Sequence, residues 1–301
     1  MHTLSVVVPA FNESANIIKL LNSILEQNDE GYDFEKLFVV SDGSRDNTAN
    51  LVRSIIDKRI VLIEHTEQKG KSIRLKEIFE LNASDILVQF DADVKLDSNN
   101  LLSLTAQAFE SSSPDLLSFN VAPVKPTTFV EKIAHFSISY WRDALDLLGD
   151  KALLHRSIGA GRAFSKNFAK KLDIPPDATV GEDVFTYLFA RKYGFKIEYA
   201  PQIKVWYRPP TNIKDYVKQM RRFLNTPAML GHYFGPTAFN EENHMNSAVR
   251  LKAYLRNVLK YSPIIVGGHL ILQLYAKYSK FDDRGGVGWD SAMSTKSFDE
   301  I

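Results

Sequence analysis

None of the chain's 301 residues is a cysteine. Disulfides, thiolate metal sites and a cysteine nucleophile are therefore excluded. A charge imbalance is missing too: 37 basic residues face 36 acidic ones, so global charge makes no case for nucleic acid as a partner. The opening residues carry neither a basic leader nor a small-residue cleavage site and enter a strand pattern at once, which sets the expectation of a cytoplasmic protein. A late apolar stretch, Pro263–Ala276, is shorter than the roughly 20 residues a spanning helix needs and is interrupted by Gly267, Gly268, His269 and Gln273. What is present is ordinary for a folded globular protein, 45% hydrophobic and 24% charged, long enough for one large domain or two small ones.

The first half alternates two periods. Leu4–Val8 is a run rich in valine closed by Pro9, a first strand. Asn12 or Ser14 is placed to cap the next helix, where Ile17, Ile18, Leu20, Leu21, Ile24 and Leu25 form a broad apolar stripe. Leu37–Val40 reads as the second strand, Thr48 to about Lys58 as helix, and Ile60–Glu64 as the third strand. Gly70-Lys71-Ser72 opens a helix running to about Leu81, and Ile86–Phe90 is the fourth strand. Strands alternating with helices of this length predict βαβ crossovers and a mostly parallel sheet. Three polar stretches, Pro9–Glu13, Ser41–Ser44 and Asp91–Asp93, each follow a strand. In a parallel sheet they share the carboxyl edge, where open α/β folds bind ligands.

Asp91-Ala92-Asp93 is the sharpest of these signals. Two carboxylates one residue apart at a strand end are hard oxygen donors suited to Mg²⁺ or Mn²⁺ carrying a diphosphate. Alone, the pattern is equally that of a solvated turn. A haloacid-dehalogenase-type phosphatase would want it after the first strand, with Thr or Val at the fifth position, and here the strand is the fourth and that residue is Lys95. A sugar nucleotidyltransferase would want a glycine-rich, arginine-containing loop after strand one, and Pro9-Ala10-Phe11-Asn12 has neither.

Taken in order, Pro9–Glu13, Ser41-Asp42-Gly43-Ser44, Gly70-Lys71 and Asp91-Ala92-Asp93 resemble the opening of the family-2 inverting glycosyltransferases of the GT-A fold. The resemblance implies that Pro9, Phe11, Glu13 and Asp42 seat the nucleoside of a nucleotide sugar, with uridine the usual base. It further implies that Lys71 belongs to the same nucleotide site, and that Asp91 and Asp93 hold a divalent metal, Mn²⁺ or Mg²⁺, on the diphosphate. Two positions depart from the family pattern: Ser41 where Asp is usual, and Lys76 where Asn is usual.

In the second half, Leu116–Val121 reads as a strand and Thr128 to about Leu148 as a helix, with Phe129, Phe136, Tyr140 and Trp141 assigned to the core and Trp141 also placed to stack on a sugar. Gly159-Ala160-Gly161-Arg162-Ala163-Phe164 is a small-residue run, and the resemblance gives Gly161 a place lining donor sugar and acceptor. Val180-Gly181-Glu182-Asp183 precedes the helical run Val184–Arg191. Acids there suit a helix N-terminus. In the family, an acidic pair at this distance from the Asp-x-Asp includes the general base, which makes Asp183 the candidate, with Glu182 beside it. After the strand Ile203–Trp206, the helix Ile213–Phe223 ends in Gln219-Met220-Arg221-Arg222-Phe223, similar to the Gln-x-x-Arg-Trp element of membrane-associated members, with Phe223 in place of Trp. Gln219 and Arg222 share one helix face and are assigned to the acceptor or diphosphate.

From Met245 the pattern changes. On a helical wheel Lys252, Arg256 and Lys260 fall on one face, and Leu251, Tyr254, Leu255 and Val258 on the other. Two placements stay open for this region: packing on the catalytic domain, or peripheral contact with a membrane surface. Trp289 and Ser294-Thr295-Lys296 loosely resemble a basic loop that closes over the diphosphate in some relatives.

The expectation is thus a GT-A-type α/β fold: a catalytic domain over 1–235, with a nucleotide half at 1–125 and an acceptor half at 126–235, and a helical extension with a polar tail over 236–301. Its activity is metal-assisted, inverting transfer from a nucleotide sugar, UDP-linked by resemblance, to a hydroxyl on a glycan or lipid-linked acceptor. The rivals are nucleotidyl transfer and nucleotide binding without catalysis.

Overall fold

A computed structural model describes residues 1–176, 181–278 and 293–296. Among these the chain forms strands β1 (His2–Ala10), β2 (Tyr32–Asp42), β3 (Ile60–His65), β4 (Ile86–Phe90), β5 (Val94–Leu96), β6 (Leu116–Pro123), β7 (Gly161–Ser165) and β8 (Ile197–Tyr207). In chain order the helices are α1 (Ile17–Leu25), α2 (Thr48–Arg53), α3 (Lys71–Leu81), α4 (Leu101–Ser112), α5 (Phe129–Leu148), α6 (Leu153–Arg156), α7 (Lys166–Lys171), α8 (Glu182–Lys192), α9 (Ile213–Phe234), α10 (Ala238–Glu242), α11 (Ser247–Val258) and α12 (Pro263–Tyr278).

The strands make one sheet in the order β3-β2-β1-β4-β7-β6-β8-β5. β1 pairs in parallel with β2 and with β4, β2 with β3, and β6 with β8. β7 enters between β4 and β6 running antiparallel to both, which the sequence pattern did not announce. Because β1 crosses to β2 on one side and β4 lies on its other side, a topological switch point falls between β1 and β4. β7 starts where β4 ends, with Gly161 opposite Phe90, so the loop before β7 reaches the same edge as the loops after β1, β2 and β4. An antiparallel insertion thus delivers a fourth loop to the binding edge.

Both faces of the sheet are covered, as the unbroken apolar strands require. Val6, Val8, Val39, Val88 and Phe90 point into one core with α1 and α4. Val7, Val40 and Leu87 point into the other, with α3, α7 and α8. Neither Asn12 nor Ser14 caps α1, whose N-cap is Asn16. Asn12 instead adopts the left-handed region at φ 54°, which asparagine tolerates better than most residues, and its Oδ1 accepts from Arg45 N at 2.8 Å. The presumed cap is a clamp between two loops.

Thr128 caps α5 in a reciprocal capping box with Glu131. Glu131 is buried and also accepts from Arg208 Nε at 2.8 Å. Burial opposes its charge, but the bonds from Thr128 and Arg208 prevail and hold its pKa down at about 2. Its carboxylate therefore contributes stability above the ordinary glutamate range, lost as pH falls toward 2. Removing one partner of a buried pair costs about 3–5 kcal/mol. Glu131→Ala is expected to lose about that much at neutral pH, read by urea denaturation. A loss below about 1 kcal/mol, the size of a surface pair, would show the bridge to be dispensable.

The α5 helix carries a smaller core in which Ile133, Phe136, Tyr216, Ile265, Val266 and Leu272 meet, joining α5, α9 and α12. Phe136 is fully buried here, but Phe129, expected in the core, is 53% exposed. His269 lies in this core with Nδ1 3.2 Å from Tyr216 Oη, and burial lowers its pKa to about 4. On α11, Ala253 and Asn257 face inward, and Leu251 and Leu255 are exposed. Among the described residues no helix is long and apolar enough to cross a membrane.

Candidate active site

The carboxyl edge near the switch point is built from loops that hold one another. Asn12 N donates to Ser44 Oγ at 3.1 Å and Glu13 N to Thr48 Oγ1 at 2.8 Å, fastening the loop after β1 to the loop after β2. Asp42, at the end of β2, is wholly buried and accepts from Lys69 N at 2.9 Å, Gly70 N at 2.7 Å and Arg74 Nε at 2.6 Å. Both its oxygens are thus held by the turn before α3 and by α3 itself. Gly43 is pressed against that turn: at φ 69°, a Cβ there would stand 2.7 Å from Gln68 N. Pro9 is buried one residue before the end of β1, and Phe11 is half-buried in the loop that follows.

Lys71, the first residue of α3, is the hinge of the chemistry. Its Nζ lies 2.5 Å from Asp91 Oδ1, 2.8 Å from Glu182 Oε1 and 3.3 Å from Gly159 O. Burial works against the ammonium, but Asp91 and Glu182 outweigh it and hold its pKa above the usual lysine value. Glu182 is joined on its other side by Arg162, a fully buried residue of β7 whose Nε donates to Gln89 Oε1 at 2.9 Å. Gln89 in turn donates through Nε2 to Gly159 O at 2.7 Å. Burial would raise the pKa of Glu182, but Arg162 and Lys71 bring it down to about 2.

Asp183 sits beside it in the first turn of α8, with Oδ1 accepting from Val184 N at 2.9 Å and Oδ2 from Gly159 N at 3.4 Å. Burial, then the neighbouring Glu182, pushes its pKa above the ordinary aspartate value. Asp91 is raised by burial and by Asp93, against the pull of Lys71. Gly159 explains why this loop is glycine-rich: a Cβ there would meet Glu182 Oε1 at 2.6 Å. Gly161 serves the sheet instead, its hydrogen facing Val205 and Phe119 in the core, so it is the neighbour two residues earlier that lines the acidic cluster.

The third wall comes from the tail. Lys296 Nζ lies 2.9 Å from Glu13 Oε1 and donates to Phe11 O at 2.6 Å and Asn12 O at 3.0 Å, while Thr295 Oγ1 donates to Asp93 Oδ2 at 3.3 Å. Burial and Asp93 raise Glu13 to about 7 in spite of Lys296. Ser294 N donates to Asp215 Oδ2 at 3.0 Å, which ties the tail to α9. Gln219 and Arg222 follow Asp215 at i+4 and i+7, on the helix face that receives the tail, and Phe223 next to them is 55% exposed. Val180 and Trp289 lie outside the described residues.

Among the described residues, and besides the Asp42–Arg74 pair, five carboxylates (Glu13, Asp91, Asp93, Glu182 and Asp183) thus line an edge with three cations, Lys71, Arg162 and Lys296. The raised pKa values of Glu13, Asp91 and Asp183 come first from burial and then from a neighbouring carboxylate. Glu13 Oε2 is buried without a hydrogen-bond partner among the described residues. Among those residues no group of three His, Cys, Asp or Glu side chains forms a metal cage. Mg²⁺-type sites on diphosphates need only one or two carboxylates, the remaining ligands coming from phosphate and water, so Asp91 and Asp93 fit such an ion.

Sequence reasoning took Gly159 and Arg162 only as part of a run lining donor sugar and acceptor, and passed over Gln89. The signal lay in Gln89 within an apolar strand and Arg162 within a small-residue run: buried polar groups demand partners.

An open sheet of this strand order, with acidic loops at its switch point, is the GT-A fold, and solved structures agree. The chain matches a mannosyltransferase from Pyrobaculum calidifontis, solved with GDP-Man and Mn²⁺, with a TM-score of 0.59 at 18% identity over 92% of this chain and 81% of that one. It matches glucosyl-3-phosphoglycerate synthase from Mycobacterium tuberculosis with a TM-score of 0.57 at 17% identity over 78% and 79%. The family model described as "Glycosyltransferase like family 2" matches residues 2–226. The chain belongs to this family and is a glycosyltransferase. Among curated relatives, an undecaprenyl-phosphate 4-deoxy-4-formamido-L-arabinose transferase of Shewanella sediminis is 30% identical over 35% of this chain and 33% of its own length. A UDP-N-acetylglucosamine–dolichyl-phosphate N-acetylglucosaminyltransferase of Methanococcus voltae is 24% identical over 55% of this chain and 70% of its own. The match thus spans a third of the first relative and more than two thirds of the second.

Proposed function

We propose that the protein transfers a sugar from a UDP-sugar to a hydroxyl of a glycan or lipid-linked acceptor by a single inverting displacement, assisted by Mn²⁺ or Mg²⁺. The observation that carries this reading is the meeting of Asp91, Lys71, Glu182 and Asp183 at one sheet edge. Asp91 and Asp93 would hold the metal, which neutralises charge on the departing diphosphate. Lys71 keeps Asp91 and Glu182 in place and adds positive charge beside the leaving group. Asp183 takes the proton of the acceptor hydroxyl as its oxygen attacks the anomeric carbon, and its raised pKa suits that task. The loops at Pro9–Glu13 and Asp42 form the nucleoside end, with Gln219, Arg222 and Phe223 toward the acceptor or diphosphate. The UDP in the M. tuberculosis enzyme's crystals and the UDP-sugar named for the M. voltae relative support the donor class.

A panel of nucleotide sugars with Mn²⁺, followed by release of nucleoside diphosphate, tests the proposal. Turnover of a UDP-sugar that EDTA abolishes and Mn²⁺ restores is the expected result. Release of pyrophosphate from a nucleoside triphosphate would replace the proposal with nucleotidyl transfer, and tight UDP binding without turnover would replace it with a binding role. Transfer indifferent to EDTA would remove the metal role from Asp91 and Asp93.

A further inference from the structure

Helix α11 has two apolar faces, and the fold uses one. Its inner side packs on α5 through Ala253, Asn257 and Tyr254: Asn257 Nδ2 donates to Asp143 Oδ2 at 2.7 Å, and Tyr254 stands edge-on to Phe136 at 5.6 Å. Its outer side carries Leu251, Leu255 and Leu259 at i, i+4 and i+8, exposed by 58%, 55% and 89%. On α12, Ile271, Leu274 and Tyr278 are likewise exposed. Residues 247–278 hold nine of the eighteen exposed large hydrophobic side chains among the described residues, a concentration that scattered surface leucines do not show.

The charge carried by these helices has one sign. From Asn243 to Tyr278 the chain has no Asp or Glu and has Arg250, Lys252, Arg256, Lys260 and Lys277. Lys252, Arg256 and Lys260 each follow a leucine of the outer stripe by one residue, so a basic row runs beside the apolar one. Lys260 Nζ reaches Asp143 Oδ2 of α5 at 3.2 Å, which leaves the others to set the sign of the outer surface. We infer that α11 and α12 form a docking surface for an anionic lipid bilayer, lying in its plane with the leucine stripe in the acyl boundary and the basic row against acidic headgroups. Neither helix can cross the bilayer, which restricts the contact to the interface. Pairing of two copies through this patch would set like charges against each other across a two-fold axis, so charge favours the bilayer over self-association.

The test is sedimentation of the full chain with vesicles of phosphatidylcholine, alone or mixed with phosphatidylglycerol. It needs no sugar donor and so stands apart from the transferase reading. The expected result is binding to the mixed vesicles that weakens with salt. Each cation near such a surface contributes about 1 kcal/mol, so Lys252→Glu with Arg256→Glu should lower partitioning roughly tenfold or more. Leu255→Asn with Leu259→Asn should lower it comparably, with thermal unfolding unchanged because both side chains are exposed. No binding to acidic vesicles at low salt, or binding untouched by both pairs, would overturn the inference. So would a dimer in ultracentrifugation that the leucine pair dissociates, since the patch would then serve a second copy.

Discussion

Asp183→Asn is expected to lower turnover by about a hundredfold to ten-thousandfold, the span a positioned general base supplies, while leaving nucleoside-diphosphate binding unchanged. Asparagine keeps the shape, but its one carbonyl oxygen can accept from Val184 N or from Gly159 N and not from both, so the loss combines proton transfer with one backbone contact. The pH profile gives an independent reading. Burial and Glu182 raise the pKa of Asp183, and the base acts only when ionised. The wild-type rate should therefore rise with pH through an apparent pKa above the ordinary aspartate value, and the variant's residual rate should lack that limb. Stability should move the other way. A carboxyl whose folded-state pKa is raised contributes stability below its unfolded pKa that is lost as pH rises through the folded one. At neutral pH the variant should thus unfold at the same temperature as wild type or a higher one. Equal rates for the two proteins on a working donor–acceptor pair would end the base assignment. They would instead favour an acceptor already ionised at neutral pH, such as the polyprenyl phosphates named for the curated relatives.

The second large effect belongs to Arg162. Arg162→Met should destabilise the fold by about 3–5 kcal/mol, because Glu182 is left buried with Lys71 as its remaining cationic partner. Gln89 would lose its donor from Arg162 Nε, and with it the arrangement that fixes Gly159 O. Asp183 leans on Gly159 N, so turnover should fall more than donor affinity. Adding Glu182→Gln removes the stranded charge, and the double variant should be more stable than the single Arg162→Met, a coupling that denaturation curves of all four proteins measure. The sign of the pH effect follows from the lowered pKa of Glu182. Its contribution is complete above the ordinary value of 4.5 and fades toward about 2, so the penalty of Arg162→Met should shrink over that window. Strict additivity of the two substitutions would show that Arg162 and Glu182 do not act as a pair.

Much of this was legible in the chain. Ile86–Phe90 ends as a strand where its apolar run ends, and α3 starts at Lys71, just after a glycine at φ 96°. The carboxyl edge was legible because consecutive parallel strands leave their polar loops on one side. What stayed hidden was long-range. β7 is five residues long, follows Gly159 and starts at Gly161, so locally it reads as a turn, and only pairing with β4 about 75 residues earlier makes it a strand. Asp42 also accepts from a turn some 27 residues on, which no local pattern reports. The wheel for α11 set Leu251 and Leu255 apart from the basic face and left open whether they meet the domain or a membrane surface. It could not know that Ala253 and Asn257 are the side chains the helix buries, with Asn257 donating to Asp143 on α5.

The short segment at 294–296 has a thermodynamic consequence under the proposed function. Lys296 and Thr295 occupy Glu13, the carbonyls of the loop after β1, and Asp93, the same groups a nucleotide and its metal would engage. A donor that needs them would bind only molecules in which the segment has let go of these groups. Its observed dissociation constant then equals the intrinsic one divided by the fraction so released. Residues nearly three hundred positions from the first strand would thereby set the substrate concentration at which the enzyme works, without contact with the sugar.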